Sequence, residues 1–476
     1  QVLLRRAGIH EQRGDLDAAL KDFNAVIELR PRTFYLHSAR AALFEKKRMY
    51  AAAVADYTRA IDLNPKEVSL YLARAGAHEA GGDFNKALKD YDSALALNAR
   101  SAATYAARAK LHERREDFDL ARADFDRVVA LRPGDADSYY WRGRFRRARG
   151  EYDAALADFQ EAVKLNPENG QYLLFQGYTY EGKGDFDAAS SDYGKAIALK
   201  PHFADLYAIR GHAYAKGGHL EKALADFERA VELNSSDANT YAWRGAVYQQ
   251  KNETERALAD FRRAVKIDPG HTLALNSLEQ LASPYLTLAA AAIEKGELDK
   301  ALEESNRAIE VAPHRAYSYL LRAMVYEDKG DYTRAFEDYA QAVQLKPKDP
   351  LVYWRRGMTY AGQRQFDLAV RDFEDARKLE PGPGATLRRE AVARRHLARG
   401  LKLIEKTDWD GALSECGGAI TLNAKEARAY LCRGRAYAGK GRVRPAVRDL
   451  KMAITLTDDA SLRDEVKSHL RQLGVK

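Results

Sequence analysis

The chain has little of what ties a protein to a metal, a membrane or a disulfide framework. Two cysteines in 476 residues exclude a stapled secreted scaffold and any Cys-rich zinc site. With only 13 prolines and no Ser/Gly-rich stretch, the single loop-like break is Pro381-Gly382-Pro383-Gly384. No apolar run approaches the ~18 residues that a membrane-spanning helix requires, so no transmembrane segment is expected. A dinucleotide-binding G-x-G-x-x-G after a strand, a P-loop and a G-x-S-x-G nucleophile elbow are all missing, which leaves no support for an enzyme. The pairs His10-Glu11, His78-Glu79 and His112-Glu113 do not continue as H-E-x-x-H, so neither a metal nor a cofactor is expected. No targeting peptide is evident, and the chain opens on Gln1, not Met. Localisation is left open by this: a soluble protein, with the cytoplasm favoured and an exported form possible.

Charge of one sign is scarce except at one end. The net charge is +8, but residues 385–476 carry 20 Lys+Arg against 11 Asp+Glu, while the rest of the chain is nearly neutral. The basic excess therefore belongs to the C-terminal part and not to the fold as a whole.

What the chain does have is internal repetition. Residues 137–169 and 205–237 align without gaps at twice a 34-residue spacing. Repeats of this length begin at 34, 68, 102, 136, 170, 204 and 238, preceded by one that lacks only its first position. After a ten-residue slip they resume at 282, 316 and 350, and after a nine-residue slip at 393 and 427, making thirteen. Position 8 of the repeat is always Gly or Ala, and position 20 is always Ala, from Ala19 to Ala446. Small residues here let two antiparallel helices approach closely, where a larger side chain would overpack the contact. Position 24 is aromatic in ten repeats, as in Tyr57, Phe159 and Tyr193. Nine prolines fall at position 32, where they end the second helix, and Gly at position 15 suits a tight turn between the helices.

In these features the sequence resembles the tetratricopeptide-repeat family over nearly its whole length. The resemblance implies an all-α, right-handed α-solenoid of about thirteen helix-turn-helix repeats in three segments. Eight repeats occupy 1–271 and three occupy 282–383, separated by an inserted helical segment at 272–281. A hinge at 384–392 precedes two repeats over 393–460. A capping helix over 461–476 would turn Leu462, Val466 and Leu470 inward. No comparable cap precedes the first repeat, so further repeats or another domain upstream of Gln1 are expected. Cys416 and Cys432 are read as two core thiols.

Position 23 is acidic in all thirteen repeats and position 7 is Arg in eleven, the exceptions being Gln176 and Leu288. The two positions lie about equally far from the turn, so they are expected to pair within each repeat, from Arg6–Asp22 to Arg399–Glu415 and Arg433–Asp449. The histidines at position 11 stand where other repeats have Tyr, and are read as packing residues.

The resemblance also implies a function: a non-catalytic scaffold or adaptor that binds peptide segments or partner proteins in a concave groove. The family lines that groove with helix A, the first helix of each repeat, at positions 2, 5, 9, 12 and 13. In the repeats from 282, 316 and 350 these positions give an apolar groove: Leu286, Ala290, Ile293, Tyr317, Leu320, Met324, Leu351, Trp354 and Met358. The same residues would instead be covered internally if the slipped segments pack on one another. A second, basic-aromatic groove gathers Lys110, Arg114, Tyr140, Arg144, Arg147, Leu174 and Tyr178, with His212 next along, and suits an acidic segment. Glu11, Glu45, Glu79, Glu113 and Glu181 at position 12 dilute its field. Position 9 holds no Asn, which disfavours a carboxylate clamp for a chain terminus. Position 6 holds Trp141, Phe175, Ile209 and Trp243, which disfavours an asparagine ladder. Nucleic acid is the less favoured partner. Its only support is the basic C-terminal set Arg388, Arg389, Arg394, Arg395, Arg428, Arg435, Arg442, Arg444 and Arg448.

Overall fold

Thirteen helix pairs and one terminal helix account for the regular structure of the computed structural model, which describes residues 2–475. Among the described residues there are 27 helices and no strand. The fifth repeat is representative: helix A runs Ala136–Ala148 and helix B runs Tyr152–Leu165. Between them the backbone must reverse in three residues, and position 15 does so in the left-handed region in every repeat. Eight of these residues are glycine, and the other five are Arg48, Glu116, Asn252, Arg364 and Thr407. The next residue starts helix B. Asp15, Asp83, Asp185, Asp331 and Asp408 each accept a hydrogen bond from the backbone N–H three residues on.

Within a repeat the two helices meet through the small positions. All thirteen Ala at position 20 are fully buried. At position 8 the space is already full: a Cβ on Gly143 would lie 3.0 Å from the Phe159 ring, and one on Gly177 would overlap the Tyr193 ring.

Beside this apolar contact runs the ion-pair ladder. Position 7 Arg donates to the position 23 carboxylate in at least nine repeats, for example Arg40 Nε to Asp56 at 2.6 Å and Arg356 Nη2 to Asp372 at 2.7 Å. The carboxylates are buried while most of the arginines retain a partly exposed edge. That edge reaches into the preceding repeat. Arg108 Nη1 donates to Asp92 at 2.5 Å, Arg142 Nη1 to Asp126 at 2.9 Å and Arg322 Nη1 to Asn306 at 2.8 Å, all at position 25. Each of these three arginines thus joins its own two helices and ties them to the previous pair.

The twelfth repeat departs from the expected pairing. Glu415 is held by His396 Nδ1 at 2.7 Å and by Arg364 Nη2 at 2.9 Å, whereas Arg399 lies on the exposed side of its helix. His396 stands three residues before Arg399, one helical turn away, and is the residue that faces the core.

The ten and nine extra residues at the register slips lengthen the helix that follows them. Helix A of the ninth repeat runs Thr272–Glu294 and that of the twelfth runs Pro383–Glu405, each 23 residues. Residues 384–392 are accordingly helical. Pro383 sits in the first turn, where its missing N–H costs nothing. The terminal helix Ala460–Gln472 buries Leu462, Val466 and Leu470 against Ala427, Leu431, Leu450 and Ala453. Cys416 and Cys432 are joined as a disulfide between helix B of the twelfth repeat and helix A of the thirteenth, with their Cα atoms 5.9 Å apart, where two separate thiols were expected. Cys416 takes position 24, at which most repeats carry an aromatic ring, and so faces the next helix A.

The chain forms two compact units, Gln1–Lys251 and Asn252–Lys476. The division falls inside the eighth repeat and not at either register slip.

Candidate functional site

Helix A residues outside the helix-pairing contact are the ones free to meet a partner, and the two compact units use them differently. In the second unit, helices Thr272–Glu294, Ala316–Asp328 and Pro350–Gly362 enclose a cavity of about 300 Å³. Ala290, Ile293, Tyr317, Leu320, Met324 and Leu351 line it, with Glu294 and Arg355. Tyr317 and Leu351 are 43% and 42% exposed, which is high for residues of their size. A second hollow of about 410 Å³ shares Tyr317 and Leu320 and is otherwise more polar, lined among others by Glu279, His314, Lys346 and Asp349.

Not all of the expected apolar groove lies here. Leu286 is buried, and Leu320 contributes only a buried wall. Trp354 stacks at 4.5 Å on Phe373 of its own helix B, and Met358 packs into the same cluster with Ala361, Val392 and Ala393. The lengthened helix Pro383–Glu405 supplies Val392 and Ala393 and sets Arg388 over the Trp354 ring at 5.9 Å. The second register slip therefore partly covers Trp354 and Met358 from within, while Tyr317, Met324 and Leu351 stay around the cavity.

In the first unit the basic-aromatic residues organise around two rings that sequence reasoning set aside, Trp141 and Phe175 at position 6. Lys110 Nζ lies 3.8 Å from the Trp141 ring centre, and Arg144 lies 4.9 Å from Trp141 and 5.2 Å from Phe175. Arg147 stands 5.8 Å from Phe175 and 5.9 Å from Tyr178. The rings are fixed from below: Tyr140 packs on Trp141, Phe159 and Phe175 within 5.3 to 6.2 Å, and Tyr178 packs on Phe175 at 5.8 Å. Between them lies a cavity of about 130 Å³, lined by Lys110, Glu113, Trp141, Arg144, Phe145, Arg147, Ala148 and Phe175.

Two expected members sit elsewhere. Tyr140 is buried, and its hydroxyl accepts a bond from Gln171 at 2.9 Å. Arg114 turns back to Glu79 at 3.0 Å and stacks on Phe84. His212 lies beyond the cavity, 4.8 Å from the Trp243 ring, and burial pushes its pKa down. The signal for Trp141 and Phe175 was their size at a position that needs no large residue for helix pairing.

The position 12 glutamates are less of a counterfield than their number suggests. Tyr57, Tyr91, Tyr193 and Tyr339 each donate to a glutamate of their own repeat: Glu45 at 2.7 Å, Glu79 at 2.5 Å, Glu181 at 2.9 Å and Glu327 at 3.0 Å. Burial raises the Glu181 pKa, the bond from Tyr193 opposing it. Wherever position 24 is Tyr and not Phe, position 12 is Glu. The histidines at position 11 behave as packing residues: His112 is buried, and burial lowers the His78 pKa despite Asp90 nearby. Of the C-terminal arginines, Arg389 donates to the Leu422 carbonyl at 2.6 Å, and Arg428 and Arg435 each lie 3.7 Å from a carboxylate, Asp459 and Glu465. No helix among the described residues is long and apolar enough to cross a membrane.

Comparison with known proteins agrees with this architecture. Family models described as tetratricopeptide repeat match residues 38–103, 106–170, 146–202, 238–271 and 1–33, and one described as TPR repeat matches 211–252 and 324–363. Together they span more than half of the chain. Among solved structures, YrrB, a TPR protein with an unusual peptide-binding site, is 25% identical over 39% of this chain and 96% of its own, with a TM-score of 0.34. MamA is 26% identical over 36% of this chain and 93% of its own, with a TM-score of 0.33. The C-terminal part of a TPR repeat-containing protein from Cytophaga hutchinsonii is 18% identical over 50% of this chain and 97% of its own, at 0.43. No curated protein is significantly similar in sequence.

Proposed function

Because the chain belongs to the tetratricopeptide-repeat family, whose repeats generally mediate protein–protein interaction, we propose that it is a non-catalytic scaffold holding extended segments of partner proteins against its helix A faces. The observation that carries this reading is the cavity between Tyr317 and Leu351. Leu320 and Leu321 in its lining belong to the core, yet two large apolar residues, Tyr317 and Leu351, stand open to solvent around a space of about 300 Å³. Covering them would remove apolar area from water, and Met324 adapts its shape to the side chain that enters. An apolar residue of a bound segment seats there, with Glu294 and Arg355 available to its flanking backbone.

A photocrosslinking residue at Tyr317 in the full chain tests this, with the same residue at exposed Leu120 on a helix B as the control. Adducts at Tyr317 are expected to map to short segments of other proteins and to vanish when Met324→Arg fills the cavity. Equal labelling at Leu120, or labelling that survives Met324→Arg, would remove the proposal. No observation favours nucleic acid at the basic C-terminal segment, several of whose arginines are already engaged.

A further inference from the structure

We infer that the Lys110–Trp141–Arg144–Phe175–Arg147 array in the first compact unit is a second site, built to receive an acidic peptide segment in extended form. It rests on the same reading of the helix A faces but concerns different residues, in a different unit. Neighbouring arginines of this unit already have carboxylates: Arg108, Arg142 and Arg146 each bond two aspartates. Lys110, Arg144 and Arg147 form no ion pair among the described residues, and their positive charge is met by ring faces instead. A ring face attracts a cation without neutralising it or using up its N–H donors. A guanidinium over a ring keeps N–H donors for a planar carboxylate, which arginine binds in a fork. The rings themselves are locked by Tyr140, Phe159 and Tyr178, so the cations are arranged before anything binds.

Two observations favour a peptide over a single-stranded nucleic acid. Base stacking needs open aromatic faces, and here Trp141 and Phe175 already carry cations. The cavity, about 130 Å³, suits the tip of one acidic side chain. The array also implies a spacing. Lys110 comes from one helix A, Arg144 and Arg147 from the next, and neighbouring helices pack roughly 10 Å apart. An extended chain covers that distance in about three residues. The preferred segment therefore carries an acidic residue at every third position as it crosses the helices.

Fluorescence anisotropy with the full chain tests this, using a labelled 15-mer of Glu at every third position among Ala and Ser, its Gln counterpart, and a dT15 oligonucleotide. The Glu peptide is expected to bind, more weakly as salt rises, and the Gln peptide at least tenfold less tightly. Arg144→Gln with Arg147→Gln is expected to lose at least tenfold in affinity with unchanged helicity, while Arg144→Lys, which keeps the charge but not the planar donor edge, is expected to lose severalfold. If the double variant fails to fold, Lys110→Gln alone is expected to show a severalfold loss. Tyr317→Ala, in the other compact unit, is expected to leave the Glu peptide's affinity intact. Equal binding of the Gln peptide, an unaffected double or Lys110→Gln variant, loss on Tyr317→Ala, or tighter binding of dT15 than of the Glu peptide would each overturn the proposal.

Discussion

Lys195 donates to buried Asp192 at 2.7 Å from one turn along the same helix, and leaves the other carboxylate oxygen without a partner. In at least nine other repeats an arginine from helix A takes both oxygens, but the sixth repeat has Gln176 at that position. Burial raises the Asp192 pKa, with Lys195 opposing it. Since the folded state holds this proton more tightly than the unfolded chain does, Asp192 subtracts stability as pH rises above the ordinary carboxylate range and costs nothing below it. Gln176→Arg is expected to raise the unfolding free energy measured by urea titration at pH 7 by about 1 kcal/mol or more. Asp192→Asn should also gain at pH 7 and lose that advantage near pH 3. A destabilised Gln176→Arg would show that the sixth repeat has no room for the ladder.

Variants of the eleventh and twelfth repeats separate the structure from the pattern. Arg356→Ala should cost about 3 kcal/mol, because Asp372 is then buried unpaired. Arg399→Ala at the same position of its own repeat should stay within about 0.5 kcal/mol, since Arg364 and His396 hold Glu415. Chemical unfolding of the two variants side by side decides it. Equal losses would restore Arg399 to the ladder.

Glycine substitutions should split by position. Gly177→Ala drives a methyl into the Tyr193 ring and is expected to destabilise by about 1–3 kcal/mol. Gly76→Ala, in a helix with nothing within 4 Å of the new methyl, should stabilise by up to about 1 kcal/mol. Thermal melts followed by circular dichroism read both signs.

At the turns, Glu116 adopts φ 64° where eight repeats have glycine. Glu116→Gly relieves a left-handed side chain and is expected to gain about 0.5–1 kcal/mol, whereas Gly150→Ala, at φ 76°, should lose about 1 kcal/mol. A neutral Gly150→Ala would mean that this turn relaxes.

Much of this was legible in the sequence because it recurs. Ala at position 20, the small residue at position 8 and the Arg–carboxylate pairs repeat every 34 residues, and a feature that recurs at one spacing has one structural cause. The Tyr193–Glu181 bond was equally legible in principle, since Tyr at position 24 always accompanies Glu at position 12, yet the glutamates looked like solvated charge. The candidate sites were legible only as sets of positions. Trp141 and Phe175 had no recurrent partner to mark them, and Trp354 sat at a groove position like any other.

The sequence by itself determined the helix pair: where it turns, what it buries and how its ion pairs close, all contacts within one repeat or between identical neighbours. Tertiary structure alone decided what happens where that identity fails. The two 23-residue helices, the packing of Trp354 against the cluster that holds Val392 and Ala393, the Arg364–Glu415 pair and the disulfide between Cys416 and Cys432 depend on how a particular helix meets one particular neighbour. Those contacts form between side chains that occur once, so no period in the chain announces them.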